Sequence, residues 1–342
     1  MAQDTKSLMP SRVCLTPAHY TFLGQNREAL MNHPLLFNDG MSGAQITYSW
    51  RSLEPVKDQY DFSDIEEDLA LLSLYGKKLW VQLQITSFYP EYKHVPDYLL
   101  EESAYQGGVT PQYTFTDDEL ETGARHGGWV AMHWNPAVAQ RYHLLIKELG
   151  KVFDGRIEGI NLQETAVDFG SSGRYFPPNF TYEIYRDAVI LNMTVLAKAF
   201  KTSKTLQYIN FMPGEWLPDT DMNLNRSLYN AAVTLGVGVG GPDLIPGRRG
   251  QEQHIFTLMP LYRPYLRTVG IAVQEGNLSS SGTTANTAQH VYNEAVSRLK
   301  PDYIFWGTEE PFYSNEILPM TMLLYNQAAS ASLNKLPAHN KP

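Results

Sequence analysis

Two glutamates stand out for the runs of residues that deliver them. Glu275 follows the apolar stretch of "IAVQEGN" and Glu164 that of "GINLQET", each through a glutamine. Runs of this kind read as buried strands. A desolvated carboxylate without a partner is costly, so an acid that ends a buried strand has a task there. Two such acids facing each other across a cleft are what cleavage of a glycosidic bond requires. One protonates the leaving oxygen, and the other attacks the anomeric carbon or activates water. The transition state has oxocarbenium character, which an ionised carboxylate beneath the ring stabilises. The acid must keep its proton near neutral pH while its partner stays ionised, and like-charge proximity separates the two pKa values. Neither a metal nor a cofactor is needed. For either glutamate alone, an ion pair with a nearby arginine is the competing explanation.

The elements that would position these acids show as short apolar runs over residues 43–50, 78–84, 129–134, 157–164, 205–212, 236–243, 269–275 and 302–307. Glu164 closes the fourth run and Glu275 the seventh. Helical patterns lie between several of them. Ser63 with Glu66 predicts a capping box and Gly76 a stop, while Asn135-Pro136 predicts a cap and first turn. Alternation of this kind predicts a (β/α)8 barrel, one catalytic domain over residues 1–342, with its site at the carboxyl ends of the strands. An open doubly wound sheet is the rival fold. It calls for a glycine-rich phosphate loop after the first strand, and here "GVGVGG" occurs only at the sixth run. The longest gap, residues 85–128, holds Phe88, Tyr89, Tyr92, Tyr98, Tyr105, Tyr113 and Phe115. It predicts an aromatic-rich insertion after strand 2 that walls the cleft.

Glutamates at the ends of strands four and seven, with Trp306 in "IFWGTEEP" on strand eight, resemble the clan A glycoside hydrolases, the retaining (β/α)8 enzymes. The opening "YSWRSLEPVKDQYDFS" is similar to the first strands of several such families. The resemblance implies Glu164 as acid/base, Glu275 as nucleophile and Trp306 as the platform beneath the sugar. It also marks a departure: Gln163 stands where the clan has an asparagine that binds the substrate 2-hydroxyl. Further candidates for substrate contact at predicted strand ends are Trp50 and Arg51, His133 and Trp134, Asn210 and Asp243. Glu309 and Glu310 compete for the carboxylate roles. A catalytically silent carbohydrate-binding barrel and a barrel lyase or isomerase stay open as other classes.

Composition narrows the partners. The chain has 36 acidic and 27 basic side chains, a net charge of −9, and no basic cluster that could follow a phosphate backbone, which argues against nucleic acid. No apolar stretch is long enough to span a bilayer. The 21 tyrosines and 6 tryptophans suit a surface that stacks on sugar rings. Cys14 is the only cysteine, so no intrachain disulfide can form. The histidines lack metal-ligand spacing. The start "MAQDTKSLMP" has no apolar signal core. "AQDTKS" reads as a mature amino terminus behind an added Met, which would imply a secreted or periplasmic protein, and otherwise a cytoplasmic one. The oligomeric state is left open.

Overall fold

A computed structural model describes residues 15–334, apart from residue 119 and residues 281–284. Cys14 and the segment read as a mature amino terminus lie outside the described residues. The strands, in chain order, are β1 (Ala18–Gly24), β2 (Met41–Ser49), β3 (Lys78–Gln84), β4 (Val109–Thr114), β5 (Arg125–Ala131), β6 (Gly159–Glu164), β7 (Lys204–Tyr208), β8 (Gly238–Gly241), β9 (Val269–Val273) and β10 (Tyr303–Gly307). Eight of them close into a barrel in the order β1, β2, β3, β6, β7, β8, β9, β10. All its pairings are parallel, and β10 returns to β1 with Tyr303 opposite Ala18. Helices cross over between strands, so the fold is a (β/α)8 barrel.

Two of the expected elements move. Ala18–Gly24, "AHYTFLG", supplies the first barrel strand although no apolar run marks it: His19, Tyr20 and Thr21 are all buried despite their polar groups. The run 129–134 is not a barrel strand. Its first part belongs to β5, which pairs antiparallel with β4 as a separate two-stranded sheet. The aromatic insertion therefore follows the third barrel strand, β3, rather than the second. The missed strand and the spurious one cancel in the count, so β6 and β9 are still the fourth and seventh barrel strands.

The barrel interior is filled by Tyr20, Trp80, Leu206, Tyr208, Ala272, Tyr303 and Phe305. Room for the Trp80 indole comes from Gly159, where a Cβ would lie 2.6 Å from the ring. Asn161 answers the polar edges: its Oδ1 accepts from Trp80 Nε1 at 3.0 Å and from Gln45 Nε2 at 2.9 Å, and Gln45 Nε2 also reaches Tyr208 Oη at 2.7 Å. Outside, the helix Pro136–Phe153 starts as expected, Asn135 accepting from Ala137 N at 2.9 Å. The helix Ser63–Leu74 has no capping box. Asp61 accepts from Ser63 N and Oγ instead, and Glu66 turns away to pair with Arg156.

The residue that ties the insertion to the barrel is Glu54. It is fully buried and accepts from Trp50 Nε1 at 2.8 Å, Asp58 N at 3.1 Å, Tyr98 Oη at 3.1 Å and the Arg141 guanidinium. Three segments, the β2 exit, the insertion and the helix Pro136–Phe153, meet at one carboxylate. Removing one partner of a buried pair leaves the other charge uncompensated. Arg141→Ala is therefore expected to destabilise the fold by about 3–5 kcal/mol, measured as the shift in the urea unfolding curve.

Candidate active site

Glu164 is the last residue of β6, and the pairing of β6 with β7 slips between Leu162 and Glu164. Such irregularities re-aim a side chain at the rim of a barrel. Asn210, just past β7, donates from Nδ2 to Glu164 Oε2 at 2.6 Å. Its own oxygen accepts from Ala166 N at 3.2 Å, which fixes the amide orientation. Thr165 Oγ1 donates to Phe211 O at 2.8 Å and stitches the two strand exits together. Burial pushes the Glu164 carboxyl up from 4.5 to about 7; the Asn210 hydrogen bond opposes this, and the nearby Asp243 charge adds to it.

Asp243 follows β8 and accepts from Asn277 Nδ2 at 2.8 Å. Asn277 Oδ1 in turn accepts from Leu244 N and Gln274 N, so one asparagine joins the exits of β8 and β9. Between Gln274 and Asn277 lies the turn that carries Glu275, whose side chain is exposed, with Gly276 at φ +80°. Gly276 N donates to Glu309 Oε2 at 2.8 Å, while Glu310 is engaged by Ser314. The rim of strands four to eight thus bears Glu164, Asn210, Asp243, Glu275 and Glu309. Among the described residues, no group of three or more His, Cys, Asp or Glu could hold a metal ion.

Several residues expected at the site face elsewhere. Trp306 is wholly buried, and its Nε1 donates to His19 Nδ1 at 3.0 Å in the layer between barrel and helices, so it presents no face to a sugar. The register explains this: Phe305, not Trp306, points into the barrel. Trp50 is also fully buried, against Tyr142 and Glu54. Gln163 is committed to the end of β3, its Oε1 accepting from Ile85 N and Thr86 N, both at 2.6 Å. Arg51 pairs with Asp97 at 2.6 Å and donates to Lys93 O, pinning the insertion. His133 is buried with Nδ1 3.1 Å from Asn192 Nδ2, and burial lowers its pKa to about 3. Trp134 packs among Phe169, Phe180 and Tyr185.

A cleft of about 960 Å³ opens at the exits of β6 and β7; Glu164 is not in its lining and instead borders a small cavity with Ile85, His133 and Gln207. Phe88, Tyr113 and Phe115 line one side of the cleft, so this part of the insertion does wall it, and Ala166, Phe211 and Trp216 come from the exits of β6 and β7. Phe211 and Trp216 are not among the residues expected from the sequence. The signal for them is an aromatic pair around "MPG" directly after a strand, in "NFMPGEW". Glu121 braces the far end, accepting from Ser171 N, Ser172 N and Ser172 Oγ.

The raised Glu164 pKa has a consequence for stability. The native state holds this proton more tightly than the unfolded chain, so the contribution is full below about pH 4.5 and is lost as pH rises through about 7. Glu164→Gln is expected to remove that loss. The urea midpoint of the variant relative to the wild type should therefore be higher at pH 8 than at pH 4.5.

The chain matches no protein-family model and no curated protein. Solved structures do resemble it. The catalytic domain of a beta-amylase from Paenibacillus polymyxa aligns with TM-score 0.55 at 10% identity, over 86% of this chain and 93% of that one. A beta-galactosidase from Halorubrum lacusprofundi aligns with TM-score 0.59 at 11% identity, over 91% of this chain and 58% of that one. A GH5_18 protein from Streptomyces cattleya, in complex with Manb1-4GlcNAc, aligns with TM-score 0.55 at 12% identity, over 94% and 82%. At such identities the likeness is one of fold: the chain shares its barrel with these glycoside hydrolases.

Proposed function

We propose that the protein is a retaining glycoside hydrolase that cleaves a β-glycosidic bond in an oligo- or polysaccharide. The observation that carries this reading is Glu164: a carboxyl group at the end of the fourth strand, oriented by Asn210 and raised to about 7. That is the state a general acid needs near neutral pH. In the first step Glu164 gives its proton to the glycosidic oxygen as the bond to the anomeric carbon breaks. Glu275 attacks that carbon and forms a glycosyl-enzyme ester. In the second step Glu164 takes a proton from water, whose oxygen displaces Glu275 and restores both carboxyl groups.

Asp243 is the competitor of Glu275 for the role of partner, because its charge is the one that acts on Glu164. A binding barrel without turnover is the second reading, supported by the exposure of Glu275 and the commitment of Gln163 to the β3 end.

The variants separate these readings. Glu164→Gln and Glu275→Ala are each expected to lower kcat by about 10²- to 10⁴-fold on a responsive glycoside, with unchanged circular dichroism. Full activity in either refutes its role. Wild-type kcat/KM should fall as pH rises through about 7, where the Glu164 carboxyl ionises. In Asp243→Asn that limb should shift to lower pH with turnover retained, whereas loss of turnover would make Asp243 the partner.

A further inference from the structure

We infer that the cleft at the exits of β6 and β7 is a binding site for a neutral oligosaccharide, with the exposed Trp216 indole as the surface on which a sugar ring stacks. The inference rests on the glycosidase reading and states where its substrate lies. Of the six tryptophans, Trp216 is the most exposed, at 41%. Trp50, Trp80 and Trp306 are sealed inside, and the Trp129 ring is covered by Lys93 at 4.1 Å.

Trp216 is held in place before any ligand arrives. It stacks on Phe211 at 5.6 Å with the planes 6° apart, and His254 meets both rings edge-on. Gly250 lets the pair settle, since a Cβ there would come within 3.0 Å of Trp216 and 3.1 Å of Phe211. Backbone hydrogen bonds in both directions between Trp216 and Thr220 close the loop. A preorganised ring keeps the entropic cost of binding low. Across the cleft, Tyr113 and Phe115 form a second aromatic surface, backed by Tyr175 at 4.7 and 5.4 Å. At about 960 Å³ the space is near the upper end of ligand pockets, roughly 300–1,000 Å³, which suits more than one sugar unit. Its lining includes Ala166, two residues past Glu164, and Phe211, one past Asn210, so the cleft lies next to the segment that carries the acid.

The charges select the class of chain. Among the described lining residues, the charged ones are Asp118, Asp168, Glu215 and Arg249. Glu215 is spent on Leu224 N and on Asn225, and Arg249 pairs with Asp219 at 3.1 Å. Asp168 holds Gly170 N with Oδ1 at 2.9 Å and keeps its other oxygen, and with Asp118 it lines the space, where the two repel carboxylated or sulfated sugars while accepting hydroxyl hydrogen bonds.

The test is calorimetric titration of the full chain with cello-, manno- and xylo-oligosaccharides and with oligogalacturonate of equal length. At least one neutral oligosaccharide should bind, with Kd raised about tenfold in Trp216→Ala and largely recovered in Trp216→Phe. Oligogalacturonate should bind at least about tenfold more weakly. No binding of any neutral chain, an unchanged Kd in Trp216→Ala, or equal affinity for oligogalacturonate would each overturn the inference. Release of reducing ends is followed separately. Binding that depends on Trp216 without release keeps this site and removes the glycosidase reading; release with binding indifferent to Trp216 does the reverse.

Discussion

Closure of the parallel barrel is the constraint on which everything else depends. Once β10 pairs with β1, every strand points the same way and every carboxyl end emerges on one face. Closure in turn needs a filled interior. Here that filling is unusually aromatic and polar: Trp80, Tyr20, Tyr303 and Phe305 occupy the space, and Asn161 and Gln45 supply partners for the indole and phenol groups. A buried donor left unanswered would cost more than the hydrogen bond contributes, so the positions of these amides follow from the rings they serve.

From that frame the character of Glu164 follows. A strand that climbs out of a packed interior ends where water is scarce, and a carboxyl group placed there resists ionisation. Asn210 works against this by donating to the carboxylate, and the Asp243 charge works with it. The balance leaves a group near the midpoint of its titration at neutral pH. Glu275, two residues past the end of its strand and in an exposed turn, experiences no comparable environment. Equal sequence signals thus led to unequal surroundings.

The contrast shows what the sequence made legible. Aliphatic runs such as those before Glu164 and Glu275 marked most of the barrel, because strands buried on both faces carry apolar side chains at every position. β1 carries no such run because its burial is satisfied by His19, Thr21 and aromatic rings, whose polar atoms find partners only in three dimensions, as Thr21 does in Tyr313 and His19 in Trp306. The run 129–134 was equally apolar but pairs in a hairpin, since no helix separates it from β4. Strand ends were located well enough to find Asn210 and Asp243. Side-chain direction was not: the period of two sends Trp306 outward and Phe305 inward, and a register error of one residue exchanges them. The loop pair Phe211 and Trp216 has no periodicity to betray it.

The brace at Glu121 has a mechanical consequence. One carboxylate receives Ser171 N, Ser172 N and the Ser172 hydroxyl, and so clamps the loop that joins β4 to β5 to the loop beyond β6. Those loops carry neighbouring stretches of the cleft lining, with Asp118 on one and Asp168, Gly170 and Ser171 on the other. Joined this way, the two loops have their separation fixed by contacts that exist without any ligand. The width of the cleft at this end is thus set by hydrogen bonds between its own two walls.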